Sequence, residues 1–136
     1  LLYTAAVGKG AFLNGNKIAV SQNRELKSAE ILTKKSIFEE NIWKSGNSAL
    51  FKQRYRPSLA YRLALVAEGT FDAMITLGRS WEWDICAGHL LVSEAGGSVT
   101  NSVGNEIVYN SNAGSSKGII AGNPAIHKSV TKELNF

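Results

Sequence analysis

The stretch that decides the fold of this chain reads WDICAG at residues 83–88 and is followed by EAGG at residues 94–97. It predicts a helix that begins at Asp84, after a loop over residues 78–83, and ends at Gly96 and Gly97, because glycine favours the backbone that follows a helix. The first turn of a helix gathers free N–H groups and the positive end of the helix dipole, which favour a carboxylate there. Such a carboxylate either caps the helix or turns outward to hold a hard cation such as Mg²⁺.

A complete magnesium site would need more carboxylates than this stretch provides. Phosphatase sites for hard cations use several, often around two metal ions. The sequence contains no tight acidic cluster such as Asp-x-x-Asp, and Glu82 is the nearest other carboxylate in sequence to Asp84. The residues taken alone therefore predict at most one part of a metal site.

Other chemistry-bearing residues near this stretch each allow a structural and a functional interpretation. His89 is predicted to be a packed or surface histidine rather than a metal ligand, and Cys86 a buried structural thiol rather than a nucleophile. Trp81 and Trp83 either stack a base or pack in the core. The glycines of GKG at residues 8–10 predict a break in a hairpin, because the full spacing of a phosphate-binding loop is absent.

The first 57 residues predict a β-hairpin and little else with clear periodicity. Its strands run through residues 1–7, 11–13 and 17–20, with a break at the GKG segment and a two-residue turn at Asn14 and Gly15, a pair that tolerates positive φ. A short buried strand is predicted over residues 31–33. Short helices are predicted near residues 37–43 and 48–54.

The second half alternates between predicted helices and strands. Ser58 is the predicted N-cap of a helix whose apolar residues recur at helical spacing, and Gly69 ends it. Asn123 and Pro124 are the predicted N-cap and first residue of a last helix that runs to about residue 134. The predicted strands of this half cover residues 71–77, 98–100, 107–109 and 118–121. Such alternation is typical of an α/β fold.

Composition narrows the functional classes. The chain has 136 residues, 44% of them hydrophobic, which suits one globular domain of ordinary size. No run of about 18 apolar residues occurs, so no membrane span is predicted. The single cysteine excludes an internal disulfide. The net charge of +4 is typical of a solvated surface and also suits an anionic substrate. The scattered Lys and Arg residues argue against nucleic-acid binding.

The opening residues LLYTA lack a signal peptide and an initiator Met, which predicts a missing upstream segment.

Three stretches together resemble the inositol monophosphatase family. They read GKGAFLNG at residues 8–15, LVAEG with FDA at residues 65–69 and 71–73, and WDICAG with EAGG. The resemblance covers nearly the whole chain and is weakest at residues 35–57. It implies an α/β fold class, the C-terminal part of a layered α/β/α/β/α sandwich. Residues 1–20 would be a terminal hairpin from the antiparallel sheet of a missing N-terminal domain, and residues 21–136 the C-terminal α/β domain.

The resemblance implies a magnesium-dependent phosphomonoesterase in which Asp84 is one metal ligand. The family's other ligands belong to the N-terminal half, so no catalytic residue is expected in this chain, and the chain alone is expected to be inactive. A cytoplasmic location is expected. The expected partners are a small phosphorylated substrate and either a second copy of the chain or the missing N-terminal half.

The resemblance places Ser58, Leu59 and Thr76 on the substrate side. Inositol-specific members carry an acid near the position of Thr76, which weakens an inositol assignment. The LVAEG sequence at residues 65–69 also resembles the family's branch of 3′(2′),5′-bisphosphate nucleotidases. The open alternatives are therefore a phosphatase of inositol monophosphate or a related sugar phosphate, a bisphosphate nucleotidase, and a non-catalytic binding module that shares the fold.

Overall fold

The computed structural model describes residues 1–39, 41–46 and 50–135. Three α-helices are present in this part of the chain: α1 (Leu59–Ala67), α2 (Glu82–Glu94) and α3 (Pro124–Glu133). The strands are β1 (Tyr3–Ala6), β2 (Gly10–Leu13), β3 (Asn16–Ile18), β4 (Glu30–Leu32), β5 (Lys52–Arg54), β6 (Ala73–Thr76), β7 (Ser80–Trp81), β8 (Ser98–Thr100), β9 (Ser115–Ser116) and β10 (Ile119–Gly122). Short 3₁₀ turns cover Leu26–Ser28 and Lys35–Phe38. None of the described helices has the length and apolarity that a membrane crossing requires.

The N-terminal strands form a three-stranded antiparallel sheet in the order β1-β2-β3. The predicted turn between β2 and β3 is confirmed, with φ of 49° at Asn14 and 81° at Gly15. The predicted break at residues 8–10 is itself a turn, since Gly8 and Gly10 have φ of 73° and 84°. The segment is therefore a three-stranded meander rather than a single hairpin.

A five-stranded mixed sheet in the order β5-β4-β6-β10-β8 forms the centre of the molecule. Its side chains alternate between two cores, as the period of a strand requires. Leu32 and Met74 face the core that contains α1 and α2. Ile31 and Ile75 face the core that contains α3. The three-stranded sheet packs on α2 from the far side, so the layers run β/α/β/α, and the α/β sandwich prediction is confirmed.

Helices α1 and α2 pack side by side and run in the same direction. Both C-terminal ends meet residues 19–21: Ala95 O accepts a hydrogen bond from Val20 N at 3.0 Å, and a Cβ on Gly69 would lie 2.9 Å from Ala19 O. In the middle of both helices, a Cβ on Gly88 would lie 2.6 Å from the Cβ of Leu63. The N-terminal ends of the two helices therefore lie together at the opposite end of the layer.

Several local predictions are wrong. Residues 52–54 are the strand β5, where a helix was predicted over residues 48–54; residues 47–49 lie outside the described part. This edge strand is polar, so its sequence carries no apolar alternation. The helix predicted at residues 37–43 is the 3₁₀ turn Lys35–Phe38 followed by a loop, with residue 40 outside the description. Residues 107–109 form no strand, although Ile107 is buried in the core.

One carboxylate ties α2 to the first turn of the meander. Glu94 accepts a hydrogen bond from Gly10 N at 2.9 Å, and the N–H groups of Gly10, Gly8 and Lys9 hold the pKa of Glu94 below its ordinary value. The amides of the GKG segment are thus directed at Glu94, which supports the structural interpretation of that segment.

We expect Glu94→Gln to lower the midpoint of thermal unfolding at neutral pH. Since the folded pKa lies below that of the unfolded chain, the interaction stabilises the fold above about pH 4.3 and is lost as the pH falls through the lowered folded pKa. Thermal scans across this range should show the difference from the original chain shrinking in acid, with Glu25→Gln as an exposed control. A difference independent of pH would contradict this account.

Candidate active site

The three predicted substrate-side residues meet at one end of the central sheet. Ser58 caps α1, its Oγ accepting a hydrogen bond from Tyr61 N at 3.3 Å, and Leu59 is the first residue of that helix. Thr76 ends β6, which runs back alongside α1. Arg62 connects them, because its Nε donates to Ser58 O at 3.4 Å and its Nη1 to Thr76 Oγ1 at 3.4 Å.

A cavity of about 460 Å³ opens beside these residues. It lies between the 3₁₀ turn Lys35–Phe38, the start of α1 and the end of β6. Leu59 and Thr76 line it, and its charged lining residues are Lys34, Glu39, Arg62 and Arg79. Ser58 contacts the rim indirectly, through Arg62. The cavity is therefore mainly cationic and adjoins the predicted substrate side.

Asp84 is exposed in the first turn of α2. The helix begins at Glu82, two residues earlier than predicted, because β7 pairs with β9 and fixes the chain just before it. Gly88 of α2 contacts Leu63 of α1. Asp84 lies one helical turn before Gly88, and Leu59 lies one turn before Leu63. Asp84 and Leu59 therefore lie at the same end of the helix pair. No hydrogen bond to the Asp84 carboxylate occurs among the described residues, which leaves its oxygens free to bind a cation.

Glu82 has a different role. Its Oε2 accepts from Asn110 N at 2.9 Å and its Oε1 from Ser111 N at 3.2 Å, and the Ser111 hydroxyl donates to it as well. The Ser111 hydroxyl and these two N–H groups lower the pKa of Glu82. Glu82 therefore holds the loop at residues 110–111. Within the described ranges, no group of three or more His, Cys, Asp and Glu side chains could hold a metal ion.

A cationic and aromatic stack stands beside the start of α2. The rings of Trp81 and Trp83 are parallel within 8°, with centroids 4.7 Å apart, and the Arg79 guanidinium lies 4.0 Å from the Trp81 centroid. Trp83 is 71% exposed, so the alternative of core packing is wrong for it. Trp81 ends β7 and Trp83 lies in the first turn of α2, so the stack spans the junction between the strand and the helix.

The structure also tests the predictions for two further residues of α2, His89 and Cys86. His89 Nδ1 lies 2.7 Å from Tyr109 Oη, and burial lowers the pKa of His89 and raises that of Tyr109. The prediction of a packed or surface histidine agrees with this half-buried contact. Cys86 is exposed, so the prediction of a buried thiol is wrong. Its position faces solvent because α2 buries only Ile85, Gly88 and Val92.

A second cleft, of about 350 Å³, lies at the opposite end of the helices. Next to it, Asp72 accepts hydrogen bonds from Ser21 Oγ at 2.5 Å and from Glu30 N at 2.8 Å. Asn123 Nδ2 donates to Ser21 Oγ at 2.9 Å, and its Oδ1 caps α3. This network holds the segment that connects the two sheets, and its polar side chains form hydrogen bonds with one another.

Comparison with known proteins identifies the fold. The model of the inositol monophosphatase family matches residues 1–136. An inositol-1-monophosphatase of Bacillus subtilis is 35% identical over 138 residues, which cover 97% of this chain and 50% of the relative. A fructose-1,6-bisphosphatase/inositol-1-monophosphatase of Thermotoga maritima is 36% identical over 132 residues, or 96% of this chain and 49% of the relative.

Solved structures agree with the sequence relatives. The structure of the extragenic suppressor protein suhB from Bartonella henselae matches with a TM-score of 0.78 at 33% identity, covering 96% of this chain and 52% of that one. The chain spans about half the length of the curated relatives it matches. The match over its whole length shows that the chain belongs to the inositol monophosphatase family, a family of phosphatases.

Proposed function

We propose that this chain supplies one half of the active site of a magnesium-dependent phosphomonoesterase. The observation that carries the proposal is the parallel packing of α1 and α2, which brings Ser58, Leu59 and the free carboxylate of Asp84 to one end of the fold beside Thr76. Membership of a phosphatase family supports this interpretation of the geometry.

Each residue has a distinct role in this proposal. Asp84 provides one oxygen ligand to Mg²⁺, which when bound neutralises phosphate charge and lowers the pKa of a bound water. The N-terminal ends of α1 and α2 present free N–H groups and positive dipole ends, which favour the anionic phosphate. Ser58, Leu59 and Thr76 line the substrate side. In this proposal the remaining metal ligands come from residues outside this chain, since no group of three or more described His, Cys, Asp and Glu side chains could hold a metal ion.

For the substrate we propose a small sugar or polyol phosphate, the class of compound for which the relatives from Bacillus subtilis and Thermotoga maritima are named. A specific observation favours a second candidate, a bisphosphorylated nucleoside. The exposed ring of Trp83 continues the stack of Arg79 and Trp81 near Asp84, and aromatic side chains of this kind stack on bases.

The test compares phosphate release by the full-length gene product with release by residues 1–136 alone. We expect the full-length protein to release phosphate only with Mg²⁺ and to lose activity on chelation, and residues 1–136 to be inactive at any Mg²⁺ concentration. The substrate panel contains inositol monophosphate, fructose 1,6-bisphosphate and a 3′,5′-bisphosphorylated nucleoside. Absence of release across the panel would favour the alternative of a binding module, and release by residues 1–136 alone would refute the divided site.

A further inference from the structure

Arg62 is a buried cation that forms no ion pair with any carboxylate that the structure describes. Its side chain lines the cavity beside Thr76, and the residue is 7% exposed. None of the described carboxylates lies within 4.0 Å of its guanidinium, and the ion pair among the described residues joins Arg54 to Glu30 instead. A guanidinium stays protonated in proteins, so burial here carries a free-energy cost.

Within the described residues, the contacts of the Arg62 guanidinium are all to neutral groups. Its Nε and Nη1 donate to neutral oxygens of Ser58 and Thr76, both at the long distance of 3.4 Å. The Tyr55 ring lies 5.9 Å from its Cζ. Nη2 has no acceptor in the part of the chain that the structure describes, and it is open to solvent, because no buried side-chain nitrogen or oxygen of the described residues lacks a partner. A buried guanidinium with a free N–H edge toward a cavity is suited to an anion that arrives with a ligand.

Two further cations face the same cavity. Lys34 and Arg79 line it with Arg62, and Glu39 is the one lining carboxylate that the structure describes, so three positive charges face one negative charge. Arg79 is held in place, since its Nε donates to Ser115 Oγ at 3.0 Å and its guanidinium stacks on Trp81. The volume of about 460 Å³ lies in the usual range for small-molecule sites.

We propose that this cavity binds a second phosphate group of the substrate, so that the preferred substrate carries two phosphates. The inference rests on the proposed function for the position of the first phosphate, at the ends of α1 and α2. Leu59 and Thr76 line the cavity and also belong to the proposed substrate side, so one molecule can reach both places. Arg62 would then bind the second phosphate through its free N–H edge, while Lys34 and Arg79 add positive charge around it.

A binding measurement tests the cavity without catalysis. Inorganic phosphate is titrated into residues 1–136 and into the full-length protein, and the Thr76 amide and Arg62 Nε–H signals are followed by NMR. We expect Arg62→Gln to weaken the binding reported by the Thr76 amide about 10- to 100-fold, the range of a lost charge-assisted hydrogen bond. Arg62→Lys should retain part of the binding, and Arg24→Gln, an exposed charge beside the second cleft, should retain all of it.

A kinetic measurement then tests the substrate class. In the full-length protein, Arg62→Gln should raise KM for a bisphosphorylated substrate at least about 10-fold more than for the corresponding monophosphate. Fructose 1,6-bisphosphate and a 3′,5′-bisphosphorylated nucleoside are measured separately, each against its monophosphate. The compound whose KM rises more than that of its monophosphate by the larger factor identifies the class of molecule that carries the second phosphate. Unfolding curves of all variants establish that they are folded.

The outcomes separate this inference from the proposed function. Equal phosphate binding by Arg62→Gln and the original chain would overturn the anion site. An equal rise in KM for mono- and bisphosphorylated substrates would overturn it too, because Arg62 would then only position Ser58 and Thr76. Phosphate binding that depends on Arg62 in a protein without phosphatase activity would support the anion site and refute the proposed function.

Discussion

Replacing Asp84 by asparagine is expected to lower kcat/KM for magnesium-dependent phosphate release more than about 100-fold. Asparagine keeps the size of the side chain and one ligand oxygen, but it removes the negative charge that a hard cation requires. Loss of groups that only support metal ligands costs about 10- to 100-fold, so loss of a ligand charge should cost more. The measurement is phosphate release by the full-length protein as Mg²⁺ is varied, where the half-saturating Mg²⁺ concentration should also rise.

Glu82→Gln is the matched control for this substitution. Glu82 lies on the same helical turn, but its oxygens are engaged by residues 110 and 111. We expect it to loosen that loop and to leave the Mg²⁺ dependence much less changed than Asp84→Asn does. Equal activity and equal Mg²⁺ dependence for Asp84→Asn and the original protein would contradict the role of Asp84.

Gly88→Val is expected to destabilise the fold by about 3 kcal/mol or more, at the upper end of what overpacking costs. A Cβ at Gly88 would lie 2.5 Å from Leu63 Cδ1 and 2.6 Å from its Cβ. Contacts this short force α1 and α2 apart, and with them the helix ends that carry Ser58 and Asp84. Urea unfolding of residues 1–136, followed by circular dichroism, measures the change.

Two variants sharpen the interpretation of Gly88→Val. Gly78→Val introduces the same side chain where no atom lies within 4 Å of the new Cβ, so it should cost far less. Leu63→Ala combined with Gly88→Val should recover part of the loss, because neighbouring residues couple in a double-mutant cycle. An unfolding midpoint of Gly88→Val equal to that of the original chain would show that the two helices are not in close contact.

The sequence predicts those parts of the fold whose signals are local. The Ser58 cap, the stop at Gly69 with φ of 82° and the start of α3 at Asn123 and Pro124 are all confirmed. Each depends on a few neighbouring residues, whose hydrogen-bonding and φ preferences act whatever packs around them. The alternation of apolar segments likewise indicates the α/β class before any tertiary contact is known.

Features that depend on distant pairing could not be predicted in the same way. The polar strand β5 exists because it pairs with β4, about twenty residues earlier in the chain, and β7 exists because it pairs with β9. The cationic cavity has the same origin. Arg62 occurs in a helix with a strongly apolar face, and only the packed structure shows that its charge is buried beside Thr76.

The most direct test of the central claim is the location of Mn²⁺ in crystals of the full-length protein, detected by its anomalous scattering. Mn²⁺ takes oxygen ligands like those of Mg²⁺, and its signal identifies the ion without reference to activity. The account predicts a peak with an Asp84 carboxylate oxygen within bonding distance, about 2.1 Å for a hard cation of this size. A metal peak held entirely by other residues, with the Asp84 carboxylate turned back to cap α2, would contradict it.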